Sequence, residues 1–87
     1  MRLDNNQQLY DYLVALGAKL NAREAVDLSR VVLAASRTVA TIPGTEFLGE
    51  SRIALRRVET AQTGLTEDER LELLDIVRQL DEAFSRR

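Results

Sequence analysis

Residues 41–52 read TIPGTEFLGESR, and they interrupt an otherwise helix-like chain near its middle. The only proline of the chain, Pro43, is followed by a glycine. Proline pushes the residue before it out of the helical conformation, and glycine adds backbone freedom to a turn. The hydroxyl of Thr45 can cap a helix that starts directly after this turn. The stretch therefore predicts one helix over 22–41 and another over 45–63.

The N-terminal part of the chain predicts a helix over 5–20, capped by Asp4 or Asn5. Asn21 and Glu24 stand three residues apart, the spacing of a capping box, so the second helix is expected to start at residue 22. The first helix has apolar residues at intervals of three and four, the spacing of one helical face: Leu9, Tyr12, Leu13, Leu16 and Leu20.

The C-terminal part contains the best-marked helix start in the sequence. Thr66 and Glu69 form a capping box that predicts a helix over 67–85, and Gly64 stands where a left-handed residue is expected to end the preceding helix. The predicted apolar stripe of this last helix consists of Leu71, Leu74, Val77, Leu80 and Phe84, widened by Leu73 and Ile76.

Four helices joined by short turns predict an all-α fold, a small antiparallel bundle of about four helices in a single domain over residues 1–87. Gly17 and Gly49 fall inside helices, which predicts close approach of a neighbouring helix at these points. Tyr10 and Tyr12 point to different sides of the first helix, so one of them is expected to be exposed.

Composition excludes most kinds of enzyme chemistry. The chain has no cysteine and no histidine, so it offers no thiol nucleophile, imidazole base or thiolate and imidazole metal ligands. We therefore predict a protein that is not an enzyme, with no catalytic residue, cofactor or bound metal. The net charge of −2 does not favour binding to nucleic acid. No apolar run is long enough for a membrane span and no signal peptide is recognisable, so a cytoplasmic protein is expected.

One group of candidate binding residues is acidic. Asp68, Glu72 and Asp75 stand at i, i+4 and i+7 of the last helix, and residues 66–87 carry seven acidic and four basic side chains. The plainest interpretation is a solvated acidic face. The alternatives are a surface that binds a basic partner and, least favoured, a carboxylate pair that shares a metal ion or a proton.

A second candidate group is basic. Arg52 and Arg56 lie one turn apart on the third helix, where two guanidinium groups can clamp a phosphate or a carboxylate. The competing interpretation is a solvated face, or local pairing of Arg56 with Glu59. In either case the bases of this protein are almost all arginine, eleven against one lysine.

The order of features from residue 25 onward adds a family resemblance. An apolar helix is followed by ATIPGTEFL at residues 40–48, then by a helix of alternating aliphatic and arginine positions, a short polar turn, and a helix that ends in DEAF at residues 81–84. This order resembles the small all-helical immunity proteins that protect bacteria from their own type VI or related polymorphic toxins, particularly toxins that consume nucleotides or NAD. The resemblance implies a cytoplasmic protein that has no catalysis of its own and blocks the active site of a cognate toxin.

The sequence thus predicts a non-enzymatic protein-binding module, with an immunity protein as the specific case and another protein, a toxin domain, as its partner. The candidate partner-binding residues are Arg52, Arg56, Asp68, Glu72 and Asp75. The alternative is a structural or regulatory homo-oligomer, in which a second copy covers apolar side chains left on the surface, for which Ile53, Leu73 and Ile76 are the candidates.

Overall fold

The computed structural model of the 87-residue chain describes residues 2–41, 46–61 and 64–85. This part of the chain contains four helices and no strand: α1 (Asn6–Ala22), α2 (Val26–Thr41), α3 (Glu46–Ala61) and α4 (Glu67–Ser85). The predicted all-α bundle is confirmed. The turn around Pro43 and the predicted cap at Thr45 lie outside the described residues.

Helices α3 and α4 run antiparallel, as predicted for neighbouring helices. Along α3 and α4, the ring of Phe84 lies beside Gly49, and the carboxylate of Asp81 bonds to Arg52. The start of α1 meets the far half of α4, where the backbone N–H of Leu3 donates to the side chain of Gln79. The end of α1 meets the first turn of α4, so these two helices also run in opposite directions.

The core lies between all four helices, and each contributes the side of its surface that faces the others. Ser29, Ser36 and Ser51 are also buried, and each hydroxyl donates to a backbone carbonyl, so none of them is left without a hydrogen bond. The fully buried large side chains are Phe47, Leu9, Leu13, Leu20, Leu55, Leu73, Ile76, Val32 and Val58.

Gly17 allows α1 and α2 to approach closely, as predicted. A methyl group on this residue would lie 2.6 Å from Cδ2 of Leu33 on α2, so the side chain of Leu33 occupies the space that a larger residue would need. The buried hydroxyl of Ser29 donates to the Gly17 carbonyl oxygen at 2.8 Å and fixes the register of the two helices. Gly49 is less crowded, since the Phe84 ring, at 3.7 Å, is the one group of the described residues that a methyl group there would meet.

Helix caps follow the sequence at two of the three predicted positions in the described residues. Asn5 caps α1, since its side chain accepts from the backbone N–H of Gln8 at 2.9 Å. Thr66 and Glu69 form the predicted capping box at the start of α4, with backbone-to-side-chain bonds of 2.9 and 3.2 Å. Gly64 has the expected left-handed backbone, with φ of 80°.

The predicted capping box of Asn21 and Glu24 is wrong. Helix α1 continues to Ala22, and Glu24 follows it in a left-handed conformation with φ of 66°. The N–H of Glu24 donates to the Asn21 carbonyl, and the N–H of Ala25 donates to the Leu20 carbonyl at 2.8 Å. These two bonds form the Schellman motif that ends a helix, so the Asn21–Glu24 segment closes α1 instead of opening α2.

The buried stripe of α4 is also different from the predicted one. Leu73 and Ile76, which were expected to widen the stripe or remain on the surface, are fully buried, while Leu71 is 58% exposed and Leu74 is 37% exposed. The buried residues follow the spacing of three and four from Leu73 through Ile76 and Val77, and Leu71 lies about 200° around the helix from Leu73. The inner face of α4 is therefore rotated, and two leucines lie on its outer surface.

Candidate functional site

The first turn of α4 is connected to the end of α1 by one carboxylate. Glu69, whose side chain caps α4, also forms an ion pair with both guanidinium NH groups of Arg23, and Nζ of Lys19 lies 3.6 Å from Glu69 Oε2. Arg23 Nη1 in addition donates to the Gly64 carbonyl at 2.9 Å. The hydrogen bonds from Arg23 and then from the Thr66 backbone lower the pKa of the Glu69 carboxyl to about 2. Glu69 thus links the end of α1 to the first turn of α4.

Two acidic residues next to Glu69 are exposed. Asp68 and Glu72 lie on the side of α4 that faces α1, and neither forms an ion pair or hydrogen bond with any residue that the structure describes. Together with α1 they line a cleft of about 170 Å³, which we call the α1–α4 cleft. Its lining residues are Tyr12, Ala15, Leu16, Lys19, Asp68, Glu69 and Glu72.

Tyr12 contributes the aromatic wall of the α1–α4 cleft. Its side chain is 8% exposed, and burial, followed by the charges of Glu72 and Glu69, raises the pKa of its hydroxyl well above the usual value. The hydroxyl therefore remains protonated and uncharged at neutral pH. Tyr10 is half-buried, so the expectation that one of the two tyrosines is exposed is wrong.

The opposite side of α4 forms an apolar groove against α3, which we call the α3–α4 groove. Leu71 and Leu74 are its exposed apolar residues, and Leu65 lies half-buried beside them. The charged residues of this groove carry both signs: Glu59, Glu67 and Arg70. Helix α4 therefore has an apolar groove on one side and an acidic cleft on the other, with Leu71 on its outer surface.

The two candidate arginines of α3 converge on a single carboxylate. Arg52 Nε donates to Asp81 Oδ1 at 2.7 Å, and Arg56 Nη2 donates to both Asp81 oxygens at 2.8 Å. The Arg52 guanidinium also lies 5.1 Å from the centre of the Phe84 ring. These bonds, with the Arg56 bond as the largest cause, lower the pKa of the Asp81 carboxyl.

Arg52 and Arg56 thus bind an anion as predicted for such a pair, but the anion is the carboxylate of Asp81 in the same chain. The predicted local pairing of Arg56 with Glu59 gives way to a link between α3 and α4, because the antiparallel packing brings Asp81 opposite both arginines. A phosphate or a partner's carboxylate would have to displace Asp81. Arg52 and Arg56 therefore stabilise the contact between helices in the unbound protein.

Asp75, the third candidate acidic residue, is separated from Asp68 and Glu72 by its bonding partners. It accepts hydrogen bonds from Arg78 at 2.6 Å and from Gln79 at 3.1 Å, and the Arg78 bond is the largest cause of the lowered pKa of its carboxyl. Within the described ranges, no group of three or more acidic side chains lies close enough to hold a metal ion.

Comparison with protein-family models, curated proteins and solved structures finds no match to this chain. None of the helices in the described part of the chain has both the length and the apolar character that crossing a membrane requires. The resemblance to immunity proteins stays a prediction from the sequence.

Three residues differ from the expectations of the sequence. Leu71 lies on the outer surface of α4 and not in its buried stripe, Asp81 and not Glu59 pairs with Arg56, and Tyr12 lines a cleft as well as packing in the core. The spacing of Leu73, Ile76, Val77 and Leu80 at three and four was the signal that could have placed Leu71 outside.

Proposed function

We propose that this chain is a non-enzymatic protein-binding module that uses the outer surface of α4. The observation that carries the proposal is the position of Leu71, a leucine 58% exposed on the same helix surface as the free carboxylates of Asp68 and Glu72. An apolar anchor beside charged groups is the usual composition of a protein interface with a polar rim.

The contribution of Leu71 to the free energy of binding can be estimated from the exposed fraction of its side chain. Full burial of a leucine side chain contributes about 1.5–3 kcal/mol, so covering the exposed part of Leu71 contributes roughly 1–1.5 kcal/mol. Replacing Leu71 by alanine removes most of that contribution and should weaken binding about tenfold. The acidic side chains add attraction for a basic surface and speed association with it.

We further propose that the partner is a bacterial toxin domain and that the protein acts as its immunity protein. A toxin that consumes nucleotides or NAD binds an anionic substrate, and a basic site of that kind is complementary to the acidic side of α4. The family resemblance from residue 25 onward supports this identity for the partner. The protein would then neutralise its target in the cytoplasm by covering the active site, with no reaction of its own.

The decisive experiment places a photo-crosslinking amino acid at position 71 of the full chain in cells of the source organism. A matched variant carries the same group at Arg37, which is exposed on α2. A protein that crosslinks from position 71 and not from position 37 is then purified and titrated against the chain. The proposal predicts binding that Leu71→Ala weakens; binding unaffected by this substitution would refute the use of α4.

The immunity function is tested by producing the captured protein alone and together with this chain. Growth arrest by the captured protein, relieved by the wild-type chain and not by Leu71→Glu, is the predicted result. A captured protein that is harmless to the cell would contradict the immunity function and leave a binding module with another role.

A homo-oligomer is a second candidate, and one observation favours it. The α3–α4 groove contains both Arg70 and the acidic residues Glu59 and Glu67, so a two-fold axis can bring the arginine of one copy to an acid of the other. Of the three apolar residues expected on this surface, only Ile53 is exposed, at 58%. Sedimentation equilibrium tests the idea: a dimer that Leu71→Glu dissociates supports it, and a monomer at all concentrations rejects it.

A further inference from the structure

Tyr12 carries a polar group that no residue of the described chain satisfies. Its side chain is more than nine-tenths buried, at 8% exposure, and the described residues supply no hydrogen-bond partner for its hydroxyl. Every fully buried side-chain oxygen or nitrogen among the described residues does have a partner. The Tyr12 hydroxyl must therefore reach solvent, and it does so in the α1–α4 cleft that it lines.

The charges around this hydroxyl favour a cation. Asp68 and Glu72 line the same cleft without an ion pair to any described residue, whereas the third acid, Glu69, is neutralised by Arg23 and Lys19. Tyr12 on α1 and Glu72 on α4 line the same cleft, and the charge of Glu72 contributes to the raised pKa of the Tyr12 hydroxyl. The cleft thus contains two carboxylates and one neutral oxygen as hydrogen-bond acceptors. The one competing positive charge among its lining residues is Lys19, whose amino group lies near Glu69.

The size of the cleft selects the kind of ligand. Small-molecule sites usually measure about 300–1,000 Å³, whereas this cleft measures about 170 Å³. It therefore has room for the end of one side chain and not for a nucleotide or another molecule of similar size. The two carboxylates, Asp68 and Glu72, lie on successive turns of α4, about 5–6 Å apart at Cβ, and the Tyr12 hydroxyl belongs to α1. This spread of acceptors suits the planar five-donor fork of a guanidinium better than a compact ammonium group.

We infer that the α1–α4 cleft is a binding site for an arginine side chain of the protein partner. Asp68 and Glu72 bind the guanidinium, and the Tyr12 hydroxyl oxygen accepts a hydrogen bond from one of its N–H groups. The inference rests on the proposed protein-binding function and gives the partner a specific feature, an exposed arginine. Leu71 anchors the partner on the outer surface of α4, and the arginine enters beside it.

The test uses short peptides in place of the unidentified partner. Acetyl-Gly-Arg-Gly-amide is titrated into the full-length, ¹⁵N-labelled protein, and the shifts of the backbone amides are followed by NMR. The matched control is the same peptide with citrulline, which has the shape of arginine without its charge. We expect saturable shifts at Tyr12, Ala15 and Glu72 with the arginine peptide, smaller shifts with a lysine peptide, and none with citrulline.

Three variants assign the binding to individual groups. Tyr12→Phe removes only the hydroxyl and Glu72→Gln removes only the charge. Each should weaken binding of the arginine peptide by about tenfold or more, the effect of losing a hydrogen bond to a charged group. Lys19→Gln removes the competing cation and should strengthen binding. Glu72 and Lys19 are exposed, so their variants remain informative if Tyr12→Phe does not fold.

Binding that does not saturate, that is equal for the citrulline peptide, or that is unchanged in Glu72→Gln would overturn the inference. Its failure is distinct from failure of the proposed function. A partner that crosslinks from position 71 while the arginine peptide does not bind refutes the arginine-binding site alone. Specific peptide binding without any crosslinked partner refutes the proposed function alone.

Discussion

The two glycines inside helices should respond in opposite directions to the same substitution. Replacing a glycine in a helix interior by alanine stabilises the helix by about 1 kcal/mol. At Gly49 the new methyl group makes an ordinary contact with Phe84 at 3.7 Å, so Gly49→Ala should raise the free energy of unfolding by about this amount. At Gly17 the methyl group would lie 2.6 and 2.7 Å from Cδ2 and Cγ of Leu33.

Contacts that short force the side chain of Leu33 or the whole of α2 to move. Such overpacking costs about 1–3 kcal/mol, so Gly17→Ala should lower the free energy of unfolding by up to roughly 2 kcal/mol after the gain in helix propensity is subtracted. Relaxation of α2 would also lengthen the buried hydrogen bond from Ser29 to the Gly17 carbonyl. The two variants should therefore differ by about 1–3 kcal/mol.

Urea unfolding followed by circular dichroism at 222 nm measures both values. A third variant isolates the cause: in a Leu33→Ala background the methyl group has space, and Gly17→Ala should become stabilising there. A Gly17→Ala variant that is as stable as Gly49→Ala, or a loss that persists in the Leu33→Ala background, would refute the close approach of α1 and α2 at this residue.

Three further predictions concern the helix ends and the ion pairs. Glu24→Gly should raise the free energy of unfolding by up to about 1 kcal/mol, because glycine adopts the left-handed conformation at φ of 66° without strain; an unchanged melting temperature would argue against the Schellman motif. The pKa of Glu69 falls from 4.5 to about 2 on folding, so its stabilising effect is complete above pH 4.5 and disappears as the pH falls toward 2. The urea midpoint of wild type should therefore exceed that of Glu69→Gln at pH 7 and approach it at pH 2; a constant difference would contradict this assignment. Asp81→Asn removes the charge that both Arg52 and Arg56 bind, so the two guanidinium groups repel each other without a counter-charge. The melting temperature should fall, and it should fall more at low salt than at high salt. An unchanged melting temperature would show that the link between α3 and α4 does not stabilise the fold.

The helices of this protein could be predicted from the sequence because their signals are local. Thr66 and Glu69 satisfy each other within one turn, and Asn5 needs only the backbone of Gln8, so these caps are visible in the sequence. The Asn21–Glu24 segment has the same residue types but a different role. Its backbone N–H groups bond back to α1 and Ala25 packs against the core, a contact that the local sequence does not reveal.

The candidate site was less predictable because it depends on contacts between helices. Which leucines of α4 face outward depends on how the helix is rotated about its axis against α1 and α3. The apolar residues between positions 71 and 80 cover so much of the helix circumference that the sequence allows more than one rotation. The pairing of Arg52 and Arg56 with Asp81 joins residues at least 25 positions apart, which only the packing of α3 on α4 brings together. The exposed acids Asp68 and Glu72 were recognisable because charge alone placed them on the surface.

The proposed binding of another protein to the outer surface of α4 can be measured by calorimetry. The partner captured from position 71 is titrated with wild type, Leu71→Ala and the α2 variant Arg37→Ala side by side. We expect Leu71→Ala to weaken binding about tenfold and Arg37→Ala to leave the affinity unchanged. Equal affinities for wild type and Leu71→Ala, with a loss in Arg37→Ala, would place the interface elsewhere and contradict the proposal.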